Sequence, residues 1–224
     1  KAASIAGVIS VIAEVNPKAI VKRQSQGWVD EVINDMDKLV IKVRSAKEKR
    51  EVVSLAYHGN IVDVWERFAD DGIMIDLGSD QTSLHNPWAG GYYPAGLTFE
   101  ESNRMISADP EKFKTHVKRS LVRQVDAINR HVHKGTYFFD YGNAFLLESS
   151  RAGADIMLPD GTFRYPSYIQ DIMGPLCFDY GFGPFRWICC SNDPDDLKTT
   201  DSIASETLRH LMENSPEEIR QQMA

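Results

Sequence analysis

The chain has 224 residues, which is enough for one large domain or two small ones with a substantial core. Hydrophobic residues make up 42% and charged residues 25% of it, and this composition excludes a mainly disordered protein. Its 25 Lys and Arg residues against 32 Asp and Glu residues leave a net charge of −7, which argues against a nucleic-acid partner. The longest apolar run, residues 5–15, is too short to cross a membrane and contains Ser10 and Glu14.

The cysteines and the two ends of the chain indicate its setting. Cys177, Cys189 and Cys190 are odd in number and two of them are adjacent, which predicts no disulfide framework and hence a reducing, cytoplasmic compartment. A buried structural role is commoner for such cysteines than a nucleophilic one. The sequence opens at Lys1 inside an apolar segment and stops at Ala224 after a helical pattern, so we expect a piece of a larger protein.

Strands and helices alternate over the first two thirds of the chain. Short, β-branched apolar segments predict four strands, at residues 7–15, 52–57, 73–77 and 136–140. Helices are predicted at residues 20–50, 61–68 and 143–150, and two more begin at a Thr98–Glu101 capping box and at Asp109-Pro110. This alternation predicts an α/β fold, with a Rossmann-like parallel sheet wrapped by helices.

The pattern changes after about Gly161. Aromatic residues and prolines crowd residues 163–187, and further helices are predicted at Asp193-Pro194 and at residues 215–218. We place a domain boundary near Pro166. This divides the chain into a Rossmann-like domain, 1–165, and a mixed C-terminal segment, 166–224, that belongs to a second domain.

Ligands of open parallel sheets bind beyond the carboxyl ends of the strands. The four predicted strands are followed by polar loops that suit the phosphates and riboses of a dinucleotide. These loops begin at Glu14, at His58-Gly59-Asn60, at residues 79–85 and at residues 140–143.

Several of these residues allow two interpretations. Glu14 either takes both hydroxyls of an adenosine ribose or is an exposed glutamate at a strand end; the first requires a glycine-rich turn that would precede Lys1. Asn60 taken singly fits a helix N-cap better than a ligand contact. Arg186, between Phe185 and Trp187, either grips a carboxylate or stacks between the rings. No spacing of His or Cys predicts a metal site.

A set of motifs gives a more specific indication. DQTSLHNP at residues 80–87, followed by GYYPAG at residues 91–96, closely resembles the urocanase family. Further matches follow the same order: YHGN at residues 57–60, DYGN at 140–143, RAGAD at 151–155 and GPFRW at 183–187. The resemblance covers the whole chain and is closer to the eukaryotic than to the bacterial branch.

The resemblance implies a hydratase that adds water to urocanate, with tightly bound NAD⁺ as an electrophile and no net hydride transfer. It also implies a cytoplasmic homodimer that acts in histidine breakdown on a small-molecule substrate. Residues 1–165 would then form the NAD-binding domain and residues 166–224 part of the core domain. The alternatives are an NAD-dependent oxidoreductase and a non-catalytic dinucleotide-binding module.

The resemblance also assigns residues. It implies these NAD contacts: Glu14, Asn60, Ile61, Gln81, Thr82, Ser83, Leu84, His85, Tyr92, Tyr93 and Tyr141. Arg186 would bind the substrate carboxylate. The family's glycine loop would lie before Lys1 and its catalytic cysteine beyond Ala224, so no catalytic residue is expected here. Ala19 stands where bacterial members have an arginine.

Overall fold

The computed structural model describes residues 2–82, 84–180, 183, 187–217 and 220–221. The chain forms two compact units, Lys1–Ser167 and Tyr168–Ala224. Within the described residues, no helix is both long and apolar enough to cross a membrane.

The first half of the first unit is built around a three-stranded parallel sheet. Its elements are α1 (Ala2–Ile5), β1 (Ser10–Glu14), α2 (Pro17–Ser25), β2 (Glu31–Ile33), α3 (Met36–Lys49), β3 (Ser54–His58) and α4 (Ile61–Asp70). The strand order is β1-β3-β2, and both pairs are parallel. Strand β3 is central, and Leu55 and Ala56 within it are fully buried. An apolar run without alternation is typical of a strand covered on both faces.

The second half adds a separate parallel pair. Its elements are β4 (Leu77–Asp80), a 3₁₀ turn (Pro87–Ala89), α5 (Phe99–Ala108), α6 (Pro110–Val132), β5 (Tyr137–Asp140) and α7 (Phe145–Arg151). Strands β4 and β5 pair in register, so that Asp80 lies opposite Asp140. The predicted α/β class with parallel strands and surrounding helices is therefore confirmed, but the strands form two hydrogen-bonded sheets instead of one.

Two predicted elements are wrong in detail. The single helix over residues 20–50 is in fact α2, β2 and α3, because Gly27 leaves α2 with a φ of 72° and the chain then pairs beside β3. Asp30 fixes this pairing by accepting a hydrogen bond from Ser54 N–H at 2.7 Å. The predicted strand at 73–77 begins only at Leu77, since Ile73 is buried in a connecting segment.

The predicted capping signals are confirmed. Thr98 and Glu101 form the complete capping box of α5. Asp109 caps α6 by accepting from the backbone N–H of Lys112 at 3.1 Å. These signals are reliable because each is satisfied by residues within one helical turn.

Helix α4 separates two hydrophobic clusters. On one side Trp65 packs with Phe113 of α6, Phe138 of β5 and Phe145 of α7. On the other side, Phe68 belongs to a cluster with α3 and β3. The helix thus holds the three-stranded sheet and the β4–β5 pair in one unit, which sets the relative positions of the strand ends.

The second unit is described by itself. It contains a π-helical turn (Tyr168–Met173), α8 (Gly174–Leu176), a 3₁₀ turn (Phe178–Tyr180) and α9 (Pro194–Asn214). The predicted helix start at Asp193-Pro194 is confirmed, with the Asp193 carboxylate accepting from Asp195 N–H at 2.8 Å. All three cysteines are free thiols; Cys177 and Cys189 are half-buried and Cys190 is exposed, so the full burial expected for these residues is wrong.

His131, near the end of α6, gives a prediction about stability. It is 1% exposed, and its Nε2 lies 2.9 Å from the carbonyl oxygen of Trp65, so Nε2 must carry the hydrogen. Its Nδ1 is buried without a partner among the described residues, and burial lowers the pKa of His131. The folded state therefore resists a proton that the unfolded chain accepts, and the free energy of unfolding should fall as the pH drops below about 6.5.

The variant His131→Gln isolates this effect. Its amide nitrogen can keep the hydrogen bond to Trp65, but it has no group that titrates in this range. We expect urea unfolding of the variant to lose less free energy between about pH 7 and pH 5 than that of the wild type. Asp80, whose raised pKa gives the opposite slope, is common to both proteins and cancels in the difference. Identical pH slopes would contradict the prediction.

Candidate functional site

The carboxyl ends of β1 and β3 are joined to each other. Gly59 N–H donates to the Glu14 carbonyl oxygen at 3.1 Å, and the Glu14 carboxylate accepts from Asn16 N–H at 2.8 Å. Glu14 is half-buried rather than exposed. One carboxylate oxygen is therefore engaged in the turn after β1, and the side chain is held at the strand edge.

Asn60 connects the end of β3 to the loop that follows β4. Its Oδ1 accepts from Val62 N–H at 3.0 Å, which confirms the predicted N-cap of α4. Its Nδ2 donates to the carbonyl oxygen of Tyr93 at 2.8 Å. The cap residue thus also fixes the backbone of the YYPAG segment beside β3.

A buried hydrogen-bond network attaches the same loop to α6. The Tyr92 hydroxyl donates to Gln124 Oε1 at 2.9 Å and lies 2.9 Å from Ser120 Oγ. Ser120 Oγ in turn accepts from Ala95 N–H at 2.9 Å. Burial raises the pKa of Tyr92, so the phenol stays a neutral donor. The far end of the loop is therefore anchored to one face of α6.

Asp80, the last residue of β4, anchors the near end of the loop to the same helix. It is 3% exposed, and its Oδ2 accepts from Gln124 Nε2 at 2.7 Å. Its Oδ1 accepts from Thr82 N–H at 2.9 Å, which turns the chain directly after the strand. Burial raises the pKa of Asp80 to about 6, although these hydrogen bonds oppose the shift.

Asn143 joins the loops after β4 and β5. Its side-chain Nδ2 donates to the carbonyl oxygen of Thr82. Its backbone carbonyl oxygen accepts from Leu84 N–H at 3.1 Å. Beside it, burial raises the pKa of Asp140, and the backbone N–H groups of Gly142 and Asn143 limit that rise. The strand-end loops therefore form one connected group, from Glu14 through Asn60 and Tyr93 to Thr82 and Asn143.

The structure sorts the residues implied as NAD contacts by their exposure. Leu84 and Tyr92 are 0% and 2% exposed and belong to the hydrophobic core, so neither residue is open to a ligand in this arrangement. Ile61 is half-buried and packs against both core clusters. Tyr93 is half-buried, stacks on Phe99 at 5.0 Å and donates to Asn103 Oδ1 at 2.8 Å.

The remaining residues of the set are more open. Gln81, His85 and Tyr141 are exposed, and Thr82 is half-buried. Among the described residues, none forms a hydrogen bond with the side chain of Gln81 or His85. Ser83 and Arg186 lie outside the described residues.

Buried polar atoms without partners among the described residues lie at the same edge. They include Ser79 Oγ of β4, Asp140 Oδ1 of β5 and Asn143 Oδ1 of the following loop. Buried polar atoms are normally hydrogen-bonded, so such a group at strand ends is consistent with a polar ligand that supplies the missing bonds. With the exposed amide of Gln81 and imidazole of His85, the residues present fit a dinucleotide.

Sequence reasoning missed two residues of this site, Ser120 and Gln124. Both lie on the face of α6 that carries Phe113, Val117 and Leu121, and both are almost fully buried. A polar side chain on an apolar helix face must find a buried partner. The polar residues Ser120 and Gln124 on an otherwise apolar helix face were therefore the feature of the sequence that could have identified them.

Comparisons with known proteins agree with these observations. A family model described as the urocanase Rossmann-like domain matches residues 1–172, and one described as the urocanase C-terminal domain matches residues 175–222. The chain is 52% identical to a probable urocanate hydratase of Caenorhabditis elegans, covering 99% of this chain and 34% of that protein.

Two mammalian proteins are similarly close. Identity is 52% to a urocanate hydratase of Mus musculus, with 93% of this chain and 32% of that protein covered. It is 51% to a urocanate hydratase of Homo sapiens, with 95% and 32% covered. The chain therefore spans about a third of the length of the curated relatives it matches.

Proposed function

The chain belongs to the urocanase family, and from this premise we propose that its first unit holds the NAD of a urocanate hydratase. The observation that carries the proposal is the group of polar atoms at the carboxyl ends of β1, β3, β4 and β5. They comprise the exposed Gln81 and His85, whose side chains have no hydrogen-bond partner among the described residues, and buried acceptors that lack a hydrogen bond there. This is the edge at which parallel α/β sheets bind dinucleotides.

The chain's residues would divide the binding of NAD between them. The carboxylate of Glu14 suits the hydroxyls of a ribose. The Gln81 amide and the His85 imidazole, which are both exposed, would donate hydrogen bonds to phosphate or carboxamide oxygens. Thr82 and Tyr141 lie in the loops that follow β4 and β5, and we propose that both contact NAD. We assign Ser83 a contact with NAD as well, because it lies between Thr82 and Leu84 in the sequence.

When bound, the oxidised nicotinamide ring supplies an electron-poor centre for a reaction that moves no net electrons. These residues would fix the position of the ring, because Asp80, Asn60 and Asn143 hold the surrounding loops through buried or partly buried hydrogen bonds. Arg186 is proposed as the partner of the substrate carboxylate, since a guanidinium binds it through two parallel hydrogen bonds. None of the three cysteines is assigned a catalytic role.

The family likeness supports further parts of the proposal. We propose a cytoplasmic homodimer that acts on urocanate, with a boundary near Pro166 between the cofactor domain, residues 1–165, and a segment of the core domain, residues 166–224. The runner-up is an NAD-dependent oxidoreductase, and a third possibility is a dinucleotide-binding module without catalysis. The three differ in what happens to the substrate and to the cofactor.

The test supplies urocanate to the full-length gene product and follows the absorbance of urocanate and of reduced nicotinamide together. A hydratase should consume urocanate with no accumulation of reduced cofactor, because hydration is redox-neutral. Reduced cofactor formed in proportion to product, without urocanate turnover, would assign the protein to the oxidoreductases. NAD bound to the purified protein without turnover would favour the binding module.

A further inference from the structure

Among the described residues, the side chain of Gln124 is hydrogen-bonded to both ends of the loop after β4. Its Nε2 donates to Asp80 Oδ2 at 2.7 Å, where the loop begins, and its Oε1 accepts from Tyr92 at 2.9 Å, where the loop returns. Gln124 itself is 0% exposed and projects from the middle of α6. A single amide therefore couples the last residue of β4 to the YYPAG segment.

In the hydrogen-bonded series Ala95–Ser120–Tyr92–Gln124–Asp80, each group donates to the next one toward Asp80. An ionised Asp80 can only accept, so the amide of Gln124 must turn its NH₂ toward Asp80 and its oxygen toward Tyr92. The Tyr92 hydrogen is then used on Gln124, and the Tyr92 oxygen must accept from the Ser120 hydroxyl. Ser120 accepts in turn from Ala95 N–H. The series from Ala95 to Asp80 is thus satisfied in only one orientation of the Gln124 amide.

The segment between these two anchors carries the candidate ligand contacts. Gln81 and His85 follow Asp80 directly and are exposed, while Trp88 lies under the Lys114 ammonium at 5.5 Å from its ring centre. The loop is therefore held against α6 by interactions that leave the side chains of Gln81 and His85 unengaged. A loop fixed in this way presents its ligand groups without an ordering cost at binding.

From this geometry we infer that Gln124 is a positioning residue, which sets the side chains of Gln81 and His85 for the cofactor by fixing Asp80 and Tyr92 at the two ends of the loop. The inference rests on the proposed function, because it takes NAD as the group that this segment binds. Gln124 makes no contact with the outside of the protein, so it acts only through Asp80 and Tyr92.

The decisive variants are Gln124→Ala and Gln124→Glu, with Asn129→Ala as the matched control. Asn129 is a second buried amide on α6, but it donates to the Asp155 carbonyl at 2.9 Å and accepts from Tyr165, away from the loop. Gln124→Ala should speed the dissociation of NAD from the full-length gene product by about tenfold or more. It should also speed amide exchange in residues 84–96, and Asn129→Ala should do neither.

Gln124→Glu adds a second measurement, the pH dependence of NAD retention, which a purely structural role would not change. A protonated glutamic acid has the shape of glutamine, donates to Asp80 through its O–H and accepts from Tyr92 through its carbonyl. The charged groups that act on the neighbouring Tyr92 besides Asp80 are Arg123 and Asp63. Arg123 is neutralised by ion pairs with Asp63 at 3.4 Å and with Glu66 at 2.7 Å. We expect near-normal NAD retention at about pH 6 and rapid loss at about pH 8.5, where two adjacent carboxylates repel.

The outcomes separate the two levels of the proposal. Wild-type protein that neither holds NAD nor consumes urocanate would overturn the proposed function and the inference with it. If the wild type holds NAD, an equal rate of NAD dissociation from Gln124→Ala and Asn129→Ala would overturn the inference alone. A Gln124→Glu protein that retains NAD equally well at both pH values would do the same.

Discussion

Replacing Gln81 and His85 together by alanine should release NAD from the full-length gene product while leaving its fold intact. Both side chains are exposed, and neither is hydrogen-bonded to another described residue, so their removal breaks no contact of the core. Each lost hydrogen bond to a bound ligand costs about 1–3 kcal/mol, so two lost bonds cost at least about 2 kcal/mol, and the double variant should bind NAD at least about thirtyfold more weakly. Urocanate turnover should fall with the occupancy of the site.

The measurement is the NAD content of the purified protein, together with urea unfolding of the apo form. A control double variant, Gln24→Ala with His210→Ala, removes the same two residue types from exposed helix positions outside the site. It should keep both NAD and stability. Full NAD content and full turnover in the Gln81/His85 variant would refute the assignment of this loop. Loss of NAD together with loss of folding stability would mean that the two side chains support the fold instead.

The sequence predicted those elements whose signals are local. The capping box at Thr98 and the Asp109-Pro110 start of α6 are satisfied within a single turn of helix, so tertiary structure has little influence on them. Strand β2 was missed because three residues carry no readable period, and it exists as a strand only through pairing with β3. A short run such as residues 73–77 is apolar because it is buried, and burial alone does not distinguish a strand from a connection.

The residues of the candidate site likewise divide into those that local sequence rules predicted and those that depend on the tertiary structure. The strand-end rule selected Glu14, Asn60 and the loop after β4 without any knowledge of their contacts. It could not show that Leu84 and Tyr92 point into the core, because the direction of a loop side chain is set by what the loop packs against. Nor could it identify Gln124, which lies 44 positions from the Asp80 that it binds. Long-range hydrogen bonds of this kind depend on the fold, and the only indication of them in the sequence is a polar residue on an apolar helix face.

Gly78 connects the stability of the fold to the position of the site, because it lies in β4 two residues before Asp80. A Cβ at this position would lie 2.4 Å from Cη2 and 3.0 Å from Cζ2 of Trp65. Trp65 has no room to retreat, since it is 5% exposed and its ring packs edge-on against His131 at 5.1 Å and Phe138 at 6.1 Å. Glycine in a strand marks such a close approach of another element.

The variant Gly78→Ala should accordingly lower the free energy of unfolding by about 3 kcal/mol, the upper part of the range for overpacking a core. A control is Gly174→Ala, whose added Cβ would meet no atom of the described residues closer than the Ile169 carbonyl oxygen at 3.7 Å and should leave stability nearly unchanged. The cause can be isolated with Trp65→Phe, which deletes the two clashing atoms and opens space that the methyl group introduced by Gly78→Ala would fill. In urea unfolding, the double variant should therefore be more stable than the sum of the two single losses predicts, by about 1 kcal/mol or more. If the losses of stability in the two single variants are additive, β4 moves as a whole in Gly78→Ala and Trp65 does not define its position. Because Asp80 would move with β4, the Gly78→Ala variant would then lose NAD. Adding Trp65→Phe would not restore NAD binding in that case.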